Sequence, residues 1–145
     1  MFMLTGEYNH QLDAKNRMRI PAKLKKELGD EYYFANGTNH CIFVFSKEAA
    51  EKQFESFNDV KLFDLAKQKS LRTFAKSFVA AVEDGQGRVV LSPELRKHAC
   101  LEKDDKDLVI CGAVNHIEIW SKKVYDEYFA DAEDNFDGIV SLLDC

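Results

Sequence analysis

Asp13-Ala14-Lys15-Asn16-Arg17-Met18-Arg19-Ile20-Pro21-Ala22-Lys23-Leu24 returns, 71 residues on, as Asp84-Gly85-Gln86-Gly87-Arg88-Val89-Val90-Leu91-Ser92-Pro93-Glu94-Leu95. Each copy has Asp, then Arg four later, then a short β-like run, then a Pro, then Leu seven after the Arg. The prolines differ by one place: Pro21 follows Arg17 by four and Pro93 follows Arg88 by five. A second similarity lies downstream. Asn39-His40-Cys41-Ile42-Phe43-Val44-Phe45-Ser46-Lys47 resembles Asn115-His116-Ile117-Glu118-Ile119-Trp120-Ser121-Lys122 with one deletion. In the enzyme reading considered below, Ile117 is set opposite Cys41.

Two units of about 55 residues follow from this repeat, too few for a solenoid and each too small to be stable alone. They are expected to share one core. Residues 7–60 form the first half, 61–77 a linker helix, 78–135 the second half and 136–145 an acidic tail.

Local patterns assign the elements of each half as β-β-α-β-β-α, hence an α+β fold. Residues 7–12 and 78–83 read as strands running into tight turns. The turns are Ala14-Lys15-Asn16 and Gly85-Gln86-Gly87, since glycine takes positive φ freely and asparagine is its usual substitute. Residues 17–20 and 88–91 read as short return strands. Ser92-Pro93 is a helix N-cap followed by proline at the first helical position, and Pro21 is expected to match Pro93. Leu24 and Leu28 face inward, and Gly29 stops the helix. Residues 32–35 and 108–111 are strands, each followed by a glycine-containing turn. The runs 42–45 and 117–120 pair back, and Ser46 and Ser121 cap a second helix. Between the halves, residues 60–77 read as a helix with Leu71, Phe74, Ala75 and Phe78 on one face and Lys69, Arg72 and Lys76 on another.

The chain has 145 residues, 46% of them hydrophobic and 31% charged, which is the composition of a globular domain. Its formal net charge is −5, which excludes a uniformly basic nucleic-acid binder but not a local basic patch. The charge is uneven. Residues 13–26 carry six bases and one acid, residues 61–76 five bases and one acid, and residues 102–145 twelve acids and four bases. Such asymmetry points to nucleic acid or to an acidic partner. No apolar run approaches the roughly 20 residues a membrane span requires. The opening MFMLTGEYNH carries no signal features, so a cytoplasmic location is expected. Cys41, Cys100, Cys111 and Cys145 form no C-x-x-C pair and read as reduced thiols, with no metal and no cofactor expected.

The chemistry resides in the repeated Asp-x-x-x-Arg. If Lys15 ends the turn and Arg17 opens a strand, the two-residue period puts Lys15, Arg17 and Arg19 on one face, with Met18 and Ile20 toward the core. Three cations on a two-stranded ribbon suit the DNA major groove, where arginine donates twice to guanine O6 and N7. Copy two offers Gln86, Arg88 and Val90 at these places, so copy one is expected to do most of the binding. Asp13 and Asp84 are assigned to structure, pinning the turns while leaving part of each guanidinium free. An enzyme reading finds only His40-Cys41, which copy two does not keep, and no nucleophile elbow, phosphate loop or dinucleotide motif.

At these residues the chain resembles the MraZ proteins, bacterial regulators of the division and cell-wall gene cluster. The opening with Gly6, Glu7 and Tyr8 and both Asp-x-x-x-Arg copies carry the resemblance, which covers nearly the whole chain. It implies two swapped-hairpin (AbrB-like) halves packed pseudo-symmetrically into one small β-barrel with helices outside. It implies a ring-shaped, often octameric homo-oligomer that binds short tandem repeats in the promoter ahead of its own gene, with repression as the outcome. It places the DNA contact on Lys15, Arg17, Arg19 and Arg88, and the location at the nucleoid. The family usually has glycine where this chain has Asn16. An alternative function is an oligomeric protein-interaction module of antitoxin or scaffold type, meeting a basic partner through the acidic second half. A small hydrolase would depend on His40 or Cys41.

Overall fold

The computed structural model describes residues 3–144, so Cys145 and the first two residues of the opening motif lie outside it. The first half contains β1 (Glu7–Gln11), β2 (Arg17–Met18), α1 (Ala22–Leu28), β3 (Tyr32–Asn36), β4 (Ile42–Ser46) and α2 (Lys47–Ser56). After α3 (Leu65–Ala75) the same order recurs: β5 (Val79–Ala80), β6 (Val89–Val90), α4 (Pro93–His98), β7 (Asp107–Gly112), β8 (Ile117–Ser121) and α5 (Lys122–Tyr128). A short α6 (Phe136–Val140) follows. This is a mixed α+β fold on antiparallel sheet.

The six-stranded sheet runs β1-β7-β8-β4-β3-β5, and β2 and β6 form a separate two-stranded ribbon. The order is unchanged when β1 is exchanged with β5, β3 with β7, and β4 with β8. The register at the centre obeys the same exchange, because Ile42 pairs with Ile119 and Val44 with Ile117 around Phe43↔Glu118. Strand partners therefore cross between halves. Strand β1 pairs with β7, and the return strand β2 pairs with β6, not with the strand that runs into its own turn.

Alternation along these strands sorts the side chains. Tyr32, Phe34, Ile42, Val44, Leu108, Ile110, Ile117 and Ile119 point to one face and are buried in the main core. Met18, Ile20, Val89 and Leu91 close that core from the ribbon, and Leu24, Leu28 and Leu95 close it from α1 and α4. Each half alone supplies only part of this cluster. The other face of the sheet carries Ala35, Phe43 and Phe45 in one half and Val109, Cys111 and Trp120 in the other. There Phe74 and Phe78 pack against the first group, with the Phe45 and Phe78 rings stacked at 5.7 Å.

Several boundaries differ from the sequence expectation. The strand expected over 78–83 is paired only at Val79 and Ala80, with one further bond from the Ala81 amide to the Tyr32 carbonyl. Beyond it Glu83 is held by the Tyr32 hydroxyl at 2.6 Å and by Lys25 at 3.6 Å, and Val82 is 80% exposed. The return strands are likewise two residues each. Pro21 is not the first helical residue but the N-cap, at the place of Ser92, since both stand four residues after their arginine. Ser92 accepts a bond from the Leu95 amide; Pro21 has no side chain to do so. The helix expected over 60–77 is shorter, because Asp64 caps it by accepting from the Lys67 amide. Counting back from the capping serines 46 and 121 sets Ile42 against Ile117. Cys41 is thus the unmatched residue, not the counterpart of Ile117.

Ile119 sits where β4, β8 and β7 meet and is fully buried. Ile119→Ala is expected to lower the free energy of unfolding by about 2–5 kcal/mol, the range for large-to-small core changes. Val82→Ala should stay within about 0.5 kcal/mol, as exposed positions do. Urea denaturation of the two variants beside the wild type checks both values.

Candidate nucleic-acid interface

The two Asp-x-x-x-Arg turns are built alike, bond for bond. Asp13 Oδ1 accepts from the Lys15 and Arg17 amides at 2.9 Å each, and Asp13 Oδ2 accepts from Arg17 Nε at 2.8 Å. Asp84 Oδ1 accepts from the Gln86 and Arg88 amides at 2.8 and 2.9 Å, and its Oδ2 from Arg88 Nε at 2.9 Å. Backbone bonds close each turn from within: Asp13 to the Arg17 carbonyl at 3.0 Å, and Asp84 to the Arg88 carbonyl at 2.8 Å. The left-handed residue is Asn16 (φ 59°) in the first turn and Gly87 (φ 75°) in the second. Asparagine tolerates this conformation, so the turn forms without glycine. Gly85 does not take it, and a Cβ there would meet nothing.

The ribbon brings the turns side by side. Arg17 pairs with Val90 and Met18 with Val89. The Leu91 amide donates to the Asn16 carbonyl at 3.0 Å, and Arg19 Nε donates to the Gln86 carbonyl at 2.8 Å. Arg17 Nη1 stands 3.9 Å from Asp84 Oδ2, so that carboxylate serves the arginines of both copies. Lys106 Nζ donates to Asn16 Oδ1.

All four expected cations are therefore in one place, but not as three equal projections. Lys15 and Arg19 are exposed. Arg17 is half-buried, with 22% of its side chain accessible, because two carboxylates flank it. Its Nε is committed to Asp13; a guanidinium has five N–H donors, so others remain to face a ligand. Arg88 is half-buried in the same manner. Lys15, Arg17, Arg19, Arg88 and Lys106 outnumber Asp13 and Asp84 by three charges, on a chain whose net charge is −5. Lys106 and the Gln86 carbonyl have no local sequence signal, because each reaches the first turn from the other half of the chain.

A family model described as "MraZ protein, putative antitoxin-like" matches residues 3–73 and 80–141, one Asp-x-x-x-Arg turn in each span. The chain is 41% identical to the transcriptional regulator MraZ of Thermoanaerobacter pseudethanolicus (strain ATCC 33223 / 39E), over 98% of this chain and 97% of that protein. It is 37% identical to the transcriptional regulator MraZ of Lactobacillus johnsonii (strain CNCM I-12250 / La1 / NCC 533), over the same shares. The chain belongs to the MraZ family.

Elsewhere in this MraZ-family chain, no group of His, Cys, Asp and Glu side chains among the described residues could hold a metal ion. Cys41 is fully buried beside Trp120, and burial pushes its thiol well above the ordinary range, so it is no nucleophile at neutral pH. His40 points elsewhere, its Nδ1 donating to the His98 carbonyl at 3.0 Å. Burial likewise raises Cys111, to about 12. Cys100, Cys111 and His98 are not gathered together: Cys100 is exposed, Cys111 lies on the outer sheet face, and His98 Nε2 bonds the Gly37 carbonyl at 2.8 Å. No helix among the described residues is long and apolar enough to cross a membrane.

The turns carry an acid-titration signature. The Arg88 backbone amide, then the Gln86 amide and the Arg88 guanidinium, hold the Asp84 carboxyl down to about 2, against some opposing desolvation. The Arg17 amide and guanidinium lower Asp13 in the same way. A depressed carboxylate contributes stability that is complete above its unfolded pKa and is lost as pH falls through the folded one. The turns should therefore hold at pH 5 and loosen between about pH 4 and 2. Carboxyl NMR titration is expected to place the Asp84 midpoint near 2; a midpoint near the ordinary 3.8 would contradict the clamp.

Proposed function

We propose that this chain is a sequence-specific DNA-binding transcriptional regulator, with the paired turns as its contact surface. The role is regulatory and not enzymatic, in keeping with relatives named as transcriptional regulators. The single observation that carries the DNA assignment is the gathering of Lys15, Arg17, Arg19 and Arg88 around two clamping carboxylates on one two-stranded ribbon. A ribbon of this width fits the major groove, and guanidinium groups held from behind keep their outer N–H donors aimed. Holding an arginine before DNA arrives reduces the entropy lost on binding. Lys15 and Arg19 take phosphates or base edges beside it.

In this reading residues 7–60 and 78–135 are AbrB-like swapped-hairpin halves sharing one small barrel, joined by the 61–77 linker and followed by the 136–145 tail. The exchange of strands between halves supports it. One chain offers few contacts. Several chains in a ring, octamer-like, bound to short tandem repeats gain affinity through effective concentration. The site of action is the nucleoid, at the promoter of the chain's own division and cell-wall gene cluster, and the outcome is repression.

The test is fluorescence anisotropy with duplex DNA from upstream of the gene, in a salt series. Arg17→Ala should cost about 1–3 kcal/mol per site and erase preference over scrambled duplex. Arg88→Ala should cost less. Lys15→Ala should weaken both duplexes alike and reduce the slope of log K against log salt by about 0.9. Equal binding by wild type and Arg17→Ala would refute the assignment. Capture of a protein partner with no DNA binding would favour the antitoxin or scaffold module.

A further inference from the structure

The two clamped turns differ at one corner. In the first, the left-handed residue is Asn16, which carries a side chain; in the second it is Gly87, which has none. The backbone of Asn16 is already occupied: its amide donates to the Asp13 carbonyl at 2.9 Å, and its carbonyl accepts from the Leu91 amide at 3.0 Å. Its side-chain Oδ1 accepts from Lys106 Nζ. Asn16 Nδ2 is left without a hydrogen-bond partner among the described residues, and it reaches solvent, since no buried side-chain nitrogen or oxygen there is unpaired.

The fold brings Lys106 to this corner. Its carbonyl accepts from the Leu12 amide at 2.9 Å, which ties the loop before β7 to the residue entering the turn. Asp104, Asp105 and Asp107 flank Lys106 in sequence, yet its ammonium pairs with no carboxylate among the described residues. The second turn has no such arrangement. Phe34 pairs with Val44 and Ile110 with Ile119, which sets Asp30 at the place of Lys106. Asp30 accepts from Lys25 Nζ at 3.3 Å instead.

An ammonium has donors and no acceptor, so it decides how the amide of Asn16 lies: Oδ1 toward Lys106, Nδ2 free. An unconstrained asparagine reads adenine in the major groove by accepting from N6 and donating to N7. Here the accepting atom is held by a cation, whose charge opposes a further donor such as the adenine amino group. Guanine offers only acceptors, O6 and N7, along the same edge.

We propose that Lys106 is a specificity-determining residue of the first turn: by holding Asn16 Oδ1 it commits the free Nδ2 to guanine and disfavours adenine. The inference rests on the DNA reading above and adds one base to it. Lys106 acts through Asn16, as a positioning residue, and the second turn lacks both parts.

Fluorescence anisotropy with the upstream duplex, each base pair changed in turn, tests it. Asn16→Gly keeps the left-handed turn and identifies the step, because preference for guanine over adenine is lost there and elsewhere retained. At that step the wild type is expected to favour guanine about tenfold, and Lys106→Met about twofold or less. Lys106→Arg keeps the donors and should keep the preference. In the Asn16→Gly background, Lys106→Met should change the ratio no further. The fold does not depend on the Lys106 side chain, since Leu12 bonds its carbonyl; circular dichroism melts matching the wild type confirm this. If Lys106→Met weakens guanine and adenine duplexes alike, or Asn16→Gly loses no guanine step, the inference falls and the DNA reading stands. If the wild type shows no preference over scrambled duplex, both fall.

Discussion

An aspartate that binds its own chain two and four residues ahead organises this protein twice. Asp13 and Asp84 each satisfy two backbone amides and one guanidinium nitrogen, which turns the chain sharply and fixes an arginine at the turn's exit. The next residues leave as a short strand that does not pair with the strand leading into its own turn. They meet the matching strand of the other half instead. The ribbon so formed covers the main core with Met18, Ile20, Val89 and Leu91. The same bonds thus close the core on one side and arrange cations on the other.

Stability and function are linked through this arrangement. Neither half owns a complete core, and β1 finds its partner in β7 of the other half. Asp84, a residue of the second half, flanks Arg17 of the first. A ligand that draws Arg17 outward must therefore work against both carboxylates. The half-burial of the arginine reduces its reach but also restricts its rotamers, which favours selectivity over simple attraction to phosphate.

Much of this is legible in the sequence because it is local. The Asp-to-Arg spacing, the serine caps at 46, 92 and 121 and the strand runs 32–35 and 108–111 all act within a few residues, and each appears where its pattern places it. What the residues do not show is partner choice. A two-residue period says which face a strand buries, not which strand lies beside it, and the family resemblance, not the residues, points to exchange between the halves. The short β5 has the same origin: Glu83 is drawn to Tyr32 and Lys25, more than 50 residues away. So does the modest exposure of Arg17, which depends on a carboxylate from the other copy of the repeat. Pro21 misleads because proline suits either the cap or the first helical place, and only the count from Arg17 distinguishes them.

The central claim is that both turns together, and not the basic helix between the halves, meet DNA. Hydrogen-exchange mass spectrometry of the chain with and without its upstream duplex tests it most directly. The account predicts slower exchange over residues 13–19 and 84–91 on adding the duplex, with residues 69–76 unchanged. Protection over 69–76 with both turns unaffected would contradict it.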